Sequence, residues 1–476
     1  MDLIRIGAAA LSLSLIAAAP ADPLGNAVTK FMSDRQIPGM QVLVVDHGRV
    51  VASRSFGVRD VVTKAPVDEH TRFEIGSITK QFTAAAILQL KERGKLKLTD
   101  TLGTYVPDFA AAKDVTIEQL LRQVSGIPEY MGSPAYRALI VSDDGVKTIR
   151  EPGDFSKILA LVRDKPLSFA PGTKWAYSNT NCVLLGRIVE IASGTPWETY
   201  VRANIFKPAG MTESAFINEE AGMADFATGY ALKDGHLIST RGMNGWGGAA
   251  GAIVSTASDV AKWDAALMGG KLIAPDDLAA MLRPGALPVE DRGLSGTSHY
   301  GYGWVVDTFD DQARVWHNGG TLGFSTWNEV YPALSEAVIV LENRRSDESD
   351  VAQVVFNALH PALAQAVVPK AAAGEDPAVT ARAKRVWDAL LSGTLDRSEF
   401  TAGLNAELTP EALRGPVAEL KAMGSPTAWS YAGKTVTGGA TSYVYRLVFA
   451  DGSRVTLTMD VTADGKLAEF DATPAE

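Results

Sequence analysis

The sequence predicts an α/β (α+β) protein. It should hold an antiparallel sheet flanked by helices, a helical subdomain beside that sheet, and a small C-terminal α+β domain. Three observations predict this. Two strand-like runs near the N-terminus, residues 40–45 and 49–58, flank the turn Asp46-His47-Gly48. Strand patterns return near residues 301–341, after a long middle stretch that reads as helix and loop. A linker-like segment at 367–377, rich in Ala, Pro and Gly, is followed by two amphipathic helices and four strand runs. The first and last segments of the larger unit would share one sheet, with a cleft between it and the helical middle, a common place for small-molecule sites.

The elements follow in order. Residues 1–21 read as an export signal: Arg5 lies in a short polar start, an apolar run spans Ile6 to Ala21, and Ala19-Pro20-Ala21 fits a small-x-small cleavage site before Asp22. The run is shorter than the ~20 residues of a spanning helix, so no membrane span is expected after cleavage and the mature chain should be periplasmic or secreted. Residues 24–36 read as a helix, then comes the hairpin, then a helix opening at Ser77 and running through Leu90. Residues 100–240 show no strong strand alternation; a helix is expected there over Cys182–Ala192. Strand patterns cover Arg314–Trp316, Phe324–Tyr331 and Ala337–Leu341, with a last helix at 350–365. The predicted organisation is thus a signal at 1–21, a first domain at 22–366, a linker at 367–377 and an accessory domain at 378–476. The last holds helices at 378–392 and 409–423, strands near 429–434, 441–449, 454–461 and 466–470, and a core drawn from Trp387, Trp429, Tyr443 and Tyr445.

Composition removes several function classes. Hydrophobic content of 46% with 21% charged residues is that of a globular protein, and 476 residues exceed one domain. A net charge of −10 without a basic run argues against a nucleic-acid partner. Cys182, the single cysteine, permits no internal disulfide and reads as a buried, inert thiol. The six histidines are scattered, without His-Glu-x-x-His or a Cys/His cluster, so no metal site is indicated. Gly-x-Ser-x-Gly and a glycine-rich phosphate loop are absent, and no cofactor is implied.

Three short patterns carry chemistry. Ser77-Ile78-Thr79-Lys80 is the only Ser-x-x-Lys in the chain. Residues three apart on a helix share a face, so the Ser77 hydroxyl and the Lys80 amine would point the same way. A serine becomes a nucleophile when a neighbouring base takes its proton, and a lysine whose pKa is lowered by burial can be that base. Tyr177-Ser178-Asn179 is the only Tyr-x-Asn. A phenol held near Lys80 could relay protons, and Asn179 offers a donor and an acceptor to a substrate. His317-Asn318-Gly319-Gly320 follows a strand; there Gly319 and Gly320 would let backbone approach a substrate, and the Gly320 N–H would join that of Ser77 as an oxyanion donor. His299-Tyr300-Gly301 competes for the third place, but His317 stands in the better strand context and His299 reads as structural.

Ser-x-x-Lys, Tyr-x-Asn and His-x-Gly in this order resemble the penicillin-recognising serine hydrolases, in the branch of class C β-lactamases, D-Ala-D-Ala carboxypeptidases, D-aminopeptidases and family VIII esterases. Segments Phe73–Ala84, Gly94–Asp100, Tyr105–Pro107, Val115–Leu121, Ser125–Pro128 and Gly247–Val260 are similar to markers of that family, and the likeness spans about residues 24–360. It implies a serine β-lactamase/DD-peptidase-like fold and hydrolysis through an acyl-enzyme on a small-molecule or peptide substrate. Ser77, Lys80 and Tyr177 would be catalytic, with Asn179, His317, Gly319 and Gly320 binding substrate. One departure is His317, where the β-lactamases usually carry a lysine. A mostly neutral imidazole favours an esterase or D-amino-acid peptidase over a β-lactamase. The alternatives are a class C-like β-lactamase and a non-catalytic peptidoglycan- or peptide-binding protein on the same scaffold. Trp175, Trp246 and Trp327 are candidate pocket walls, with core packing the expected role of at least two.

Overall fold

The computed structural model describes residues 22–474 apart from 144–145, 150, 241, 290–297, 310–311, 347–350, 360–371, 373, 438–439 and 450–452. The expected export signal and most of the expected linker lie outside the described residues.

The largest sheet has seven strands in the order β10-β11-β12-β13-β14-β1-β2, every pairing antiparallel. Its strands are β1 (Gly39–Asp46), β2 (Arg49–Gly57), β10 (His299–Tyr300), β11 (Val305–Phe309), β12 (Gln312–Gly320), β13 (Ser325–Tyr331) and β14 (Glu336–Glu342). The hairpin β1–β2 therefore joins the C-terminal strands through β1 and β14, as the sequence predicts. Side chains alternate across a strand, and the packing follows that period of two. Val42, Val44, Val338 and Val340 pack with helices α1 (Pro23–Asp34) and α5 (Val351–Leu359) on one face. Leu43, Ile339 and Leu341 belong to the opposite core, with α2 (Thr79–Glu92), α3 (Asn179–Ser193) and α4 (Ala257–Met268). Among the described residues no helix is long and apolar enough to cross a membrane.

Two expectations need correction. The middle of the chain is not free of strands. A three-stranded sheet β3-β9-β6 (Phe73–Glu74, Ile253–Ser255, Ala215–Phe216) and a four-stranded sheet β4-β5-β8-β7 (Ile140–Asp143, Val146–Ile149, His236–Thr240, Gly229–Lys233) lie there. Strands of two to five residues cannot display a sequence period, and most of their partners are distant in the chain. The second correction concerns Ser77, which lies in a single 3₁₀ turn, Gly76–Ile78, with α2 beginning only at Thr79. Gly76 has a φ of +50°, a left-handed value that glycine adopts readily, and this sharpens the entry to the helix. Ser77 does not cap α2.

At the C-terminal end, helices α6 (Pro377–Ser392) and α7 (Pro410–Met423) accompany a meander of β15 (Ala428–Thr437), β16 (Ala440–Val448), β17 (Arg454–Thr462) and β18 (Leu467–Pro474). Trp387, Phe400, Tyr445, Leu457 and Leu467 lead a core of their own. A contact to the larger sheet is the Arg454 guanidinium, 5.8 Å from the Phe309 ring centre.

Candidate active site

The Gly76–Ile78 turn is wedged between strands. Ile75 donates its N–H to the Ile253 carbonyl at 3.0 Å, and the Thr326 hydroxyl donates to the Ile75 carbonyl at 3.0 Å. Two glycines make the approach possible. A Cβ on Gly76 would come 2.7 Å from the Gly320 nitrogen, and one on Gly319 would come 2.0 Å from the Ile75 oxygen. Backbone of the Ser77 turn and backbone of β12 therefore touch, so Gly319 and Gly320 stand beside Ser77 as expected. Ser77 itself is half-buried between fully buried neighbours.

Lys80 is 1% exposed. Its Nζ donates to Ser77 Oγ, Asn179 Oδ1 and the Ala250 carbonyl, each at 2.8 Å. Those are all three donors that an ammonium has. Burial disfavours the charged form and brings the pKa down from 10.5 to about 8, against the opposing pull of the buried Cys182 and Glu129. The amine also lies 4.8 Å from the Tyr177 ring centre.

The Tyr177–Asn179 loop is clamped from one side by residues 123–131. Ala176 N–H donates to the Gln123 carbonyl at 3.0 Å, and Ser178 N–H to Gln123 Oε1 at 3.0 Å. Helix α3 begins at Asn179, three residues earlier than the sequence pattern shows, and its first N–H donates to the Glu129 carboxylate. An anion there complements the positive end of the helix. Glu129 also accepts from the Met131 N–H at 2.8 Å; burial raises its pKa, with those two hydrogen bonds and the Lys80 charge opposing.

On β12, His317 is buried and its ring centre lies 6.0 Å from that of Tyr177. Its Nε2 meets the Tyr300 hydroxyl at 3.0 Å and its Nδ1 meets the Asn318 carbonyl at 2.6 Å. Burial and the nearby Lys80 push its pKa to about 3, so the imidazole is neutral at physiological pH. His299 lies apart, in β10, with Nδ1 on the Gly285 carbonyl at 2.6 Å. Of the three candidate wall tryptophans, Trp327 stacks on Trp316 at 4.6 Å and Trp246 donates Nε1–H to the Glu151 carbonyl at 2.8 Å, both inside cores. Trp175 belongs to the same core as Trp327, with its ring centre 6.4 Å from that of Tyr177.

All seven sequence-predicted site residues are thus brought together in one place. Sequence reasoning missed three others. Glu129 directly follows the Ser125–Pro128 marker, and a lone carboxylate after that turn was the available signal. Tyr300 was noticed only as part of the His299 competitor. Ala250 contributes a carbonyl, which no side-chain pattern shows. Among the described residues, Asp46, His47 and Glu336 could bring three metal-ligand atoms within 4.8 Å of one another. They lie at the other end of the sheet, since Glu342, not Glu336, is the end of β14 that pairs toward Ser325 and Gly320.

Comparison with known proteins points the same way. The Beta-lactamase family matches residues 24–360. Penicillin-binding protein 4* of Bacillus subtilis is 29% identical over 330 residues, which cover 64% of this chain and 68% of that relative. A penicillin binding protein from Bacillus halodurans, 29% identical, superposes with a TM-score of 0.61 over 72% of this chain and 99% of its own. The octameric penicillin-binding protein homologue from Pyrococcus abyssi, 23% identical, has the same fold with a TM-score of 0.66 over 94% of this chain and 98% of its own. With the family matched over most of its length and its fold repeated in those structures, the chain belongs to the Beta-lactamase family of serine hydrolases.

Proposed function

We propose that the chain is an exported enzyme that hydrolyses an ester or a D-amino-acid amide or peptide bond through an acyl-enzyme on Ser77. The observation that carries this reading is the Lys80 amine, buried, 2.8 Å from Ser77 Oγ and with a pKa of about 8. When Lys80 is neutral, its two remaining N–H bonds can stay on Asn179 Oδ1 and the Ala250 carbonyl. Its lone pair then faces Ser77, so the same geometry that satisfies the ammonium orients the free base.

Ser77 Oγ attacks the substrate carbonyl carbon while its proton passes to Lys80 Nζ. The carbonyl electron pair moves to oxygen, which the N–H groups of Ser77 and Gly320 receive. Collapse breaks the bond to the leaving group, which takes the proton through Tyr177. Water then attacks the acyl-enzyme, returns a proton along the same route and releases the acid. Asn179 and His317 hold the residues around the reacting bond, His317 through Tyr300 and the β12 backbone. Because His317 carries no charge, a dependence on a third-motif cation, as in the β-lactamases, is not favoured.

Export through cleavage after Ala21, and a first domain at 22–366 joined by 367–377 to an accessory domain at 378–476, complete the reading. A fluorophosphonate probe tests the chemistry: the wild type should be labelled at Ser77 and Ser77→Ala should not. A panel of p-nitrophenyl esters, D-Ala-D-Ala peptides and nitrocefin then ranks the substrate classes. A folded wild type that takes no label and turns over nothing in the panel would leave a non-catalytic binding protein.

A further inference from the structure

A buried carboxyl group that the proposed chemistry does not use lies among polar neighbours whose hydrogen bonds can be counted atom by atom. Trp263, Asp264, Gln81 and Asn328 are each at most 5% exposed. Helix α4 supplies the first two, α2 supplies Gln81 directly after Lys80, and β13 supplies Asn328, the register partner of His317. The Trp263 ring stacks on Phe82 of α2 at 4.0 Å, which fixes the two helices against each other. An indole N–H can only donate, and Trp263 Nε1 lies 3.0 Å from Gln81 Oε1, so the Gln81 amide has one orientation. Asn328 Nδ2 in turn donates to Gln81 Oε1 at 3.3 Å and to Asp264 Oδ1 at 2.9 Å, which orients its amide as well and uses both of its hydrogens. Asp264 Oδ2 and Asn328 Oδ1 remain buried without a hydrogen-bond partner, as does Gln81 Nε2, which reaches neither of them. Two acceptors on groups already joined by one hydrogen bond cannot satisfy each other, but a single proton between them can.

We propose that Asp264 is held in the fold as a neutral carboxylic acid whose Oδ2–H donates to Asn328 Oδ1, and that this acid–amide pair is a pH-sensitive latch joining α4 to β13. Oδ1 keeps its bond from Asn328, so the two groups exchange two hydrogen bonds. No counter-charge offers an ionised Asp264 an alternative. On the elements packed around it, Lys80 of α2 is turned to Ser77, Asn179 and Ala250, and Glu329 of β13 to Arg314. Asp259 of α4 pairs with Lys262, and Lys207 of the short helix Lys207–Ala209 is exposed. Glu342 of β14 accepts from the Ser346 hydroxyl, and Glu336 at the other end of that strand lies with Asp46 of β1. Burial raises the Asp264 pKa to about 8, with only the Asn328 bond opposing. Loss of the Oδ2 proton would leave a buried, unpaired charge against the Asn328 oxygen. An unfolded aspartate ionises near pH ~4, so the folded chain holds an extra proton between about pH 4 and 8, and stability falls as pH rises through that window. Lys80 works in the opposite sense, because it must lose its proton to act as a base. The latch therefore sets an alkaline limit to the range in which the site is both active and firmly held.

The test uses the full chain and Asp264→Asn, whose amide offers Asn328 an acceptor and a donor without an ionisable proton. Urea unfolding across pH ~5 to ~9 gives the ratio of the wild-type unfolding constant to that of the variant. The ratio should rise ~10-fold per pH unit up to ~8 and level off above it. Infrared difference spectra, wild type minus variant at pH ~6, should show the C=O band of an un-ionised carboxylic acid, fading as pH passes ~8. Labelling the aspartate carboxyls with carbon-13 should shift that band. This separates Asp264 from Glu129 in the wild type alone, and so decides the matter even if the variant does not fold. A ratio constant from pH ~5 to ~8, or no un-ionised aspartate band at pH ~6, overturns the proposal.

Discussion

In the larger unit the buried side chains include Lys80, Gln81, Asp264, His317, Asn328 and Glu329, whereas between Ala383 and Leu467 the described buried set is apolar or aromatic, Ser430 apart. Burying a polar group costs free energy unless it finds partners. Around Ser77 much of that cost is offset by named bonds: Lys80 to three acceptors, His317 donating to the Asn318 carbonyl and accepting from the Tyr300 hydroxyl, Asn328 Nδ2 to Asp264 Oδ1 at 2.9 Å. The C-terminal end leaves a cavity of about 290 Å³ lined by side chains such as Leu395, Phe400, Leu420 and Phe470. The glycines differ in the same way. Gly319 and Gly76 are places where backbone meets backbone, while a Cβ on Gly403 or Gly415 would meet nothing within 4 Å. The contrast separates a region rich in buried, partnered polar groups from one packed almost wholly by apolar and aromatic side chains.

The sharpest way to break the contrast is to remove the polar machinery itself. Lys80→Ala and Tyr177→Phe should each lower the acylation rate by ~10²–10⁴-fold, and the double variant should be little worse than the poorer single one, because groups acting as one unit do not add. Single-turnover labelling measures this; losses that multiply would place the two residues in separate roles. Next in size is Gly319→Ala. Its methyl would sit 2.0 Å from the Ile75 oxygen and 2.3 Å from Thr326 Oγ1. Moving the Ser77 turn away from β12 should cost roughly 1–3 kcal/mol of stability and most of the activity, read by urea unfolding and by labelling rate.

A smaller and graded effect is expected from pH. Burial lowers the Lys80 pKa to about 8, so the neutral, proton-accepting form grows as pH rises toward that value. The acylation rate should climb about tenfold per pH unit below ~8 and level off above it. His317, with its pKa near 3, should add no second limb between pH 5 and 8. A rate flat from pH 6 to 9 would mean that Lys80 is not the titrating base. The smallest effect belongs to the other region. Gly415 lies inside α7 with open space around it, so Gly415→Ala should raise stability by ~0.5–1 kcal/mol and leave the labelling rate unchanged. Destabilisation there would show that α7 packs more tightly than the cavity beside it implies.

The sequence by itself determined what is local. Ser77 and Lys80 are three residues apart, and any helical turn brings them to one side; Tyr177 and Asn179 stand where a strongly apolar helix begins; and the β-branched and aromatic runs of β1, β2, β13 and β14 announced strands because each is seven to nine residues long, with β1, β13 and β14 buried along nearly their whole length. Tertiary structure alone decided the rest. The strands of the middle region are two to five residues long and exist through pairing with distant segments, as Phe73 does with Ser255. Glu129 on the Asn179 N–H, Tyr300 on His317 and Asn328 on Asp264 are single contacts between residues 50, 17 and 64 positions apart. Even the Lys80 pKa is a tertiary property, since only the closing of Ala250, Asn179 and the Ser77 turn around the amine removes its water. Periodicity reports which face of an element is buried; it carries no information about which distant group will meet that face, and the chemistry proposed here depends on those meetings.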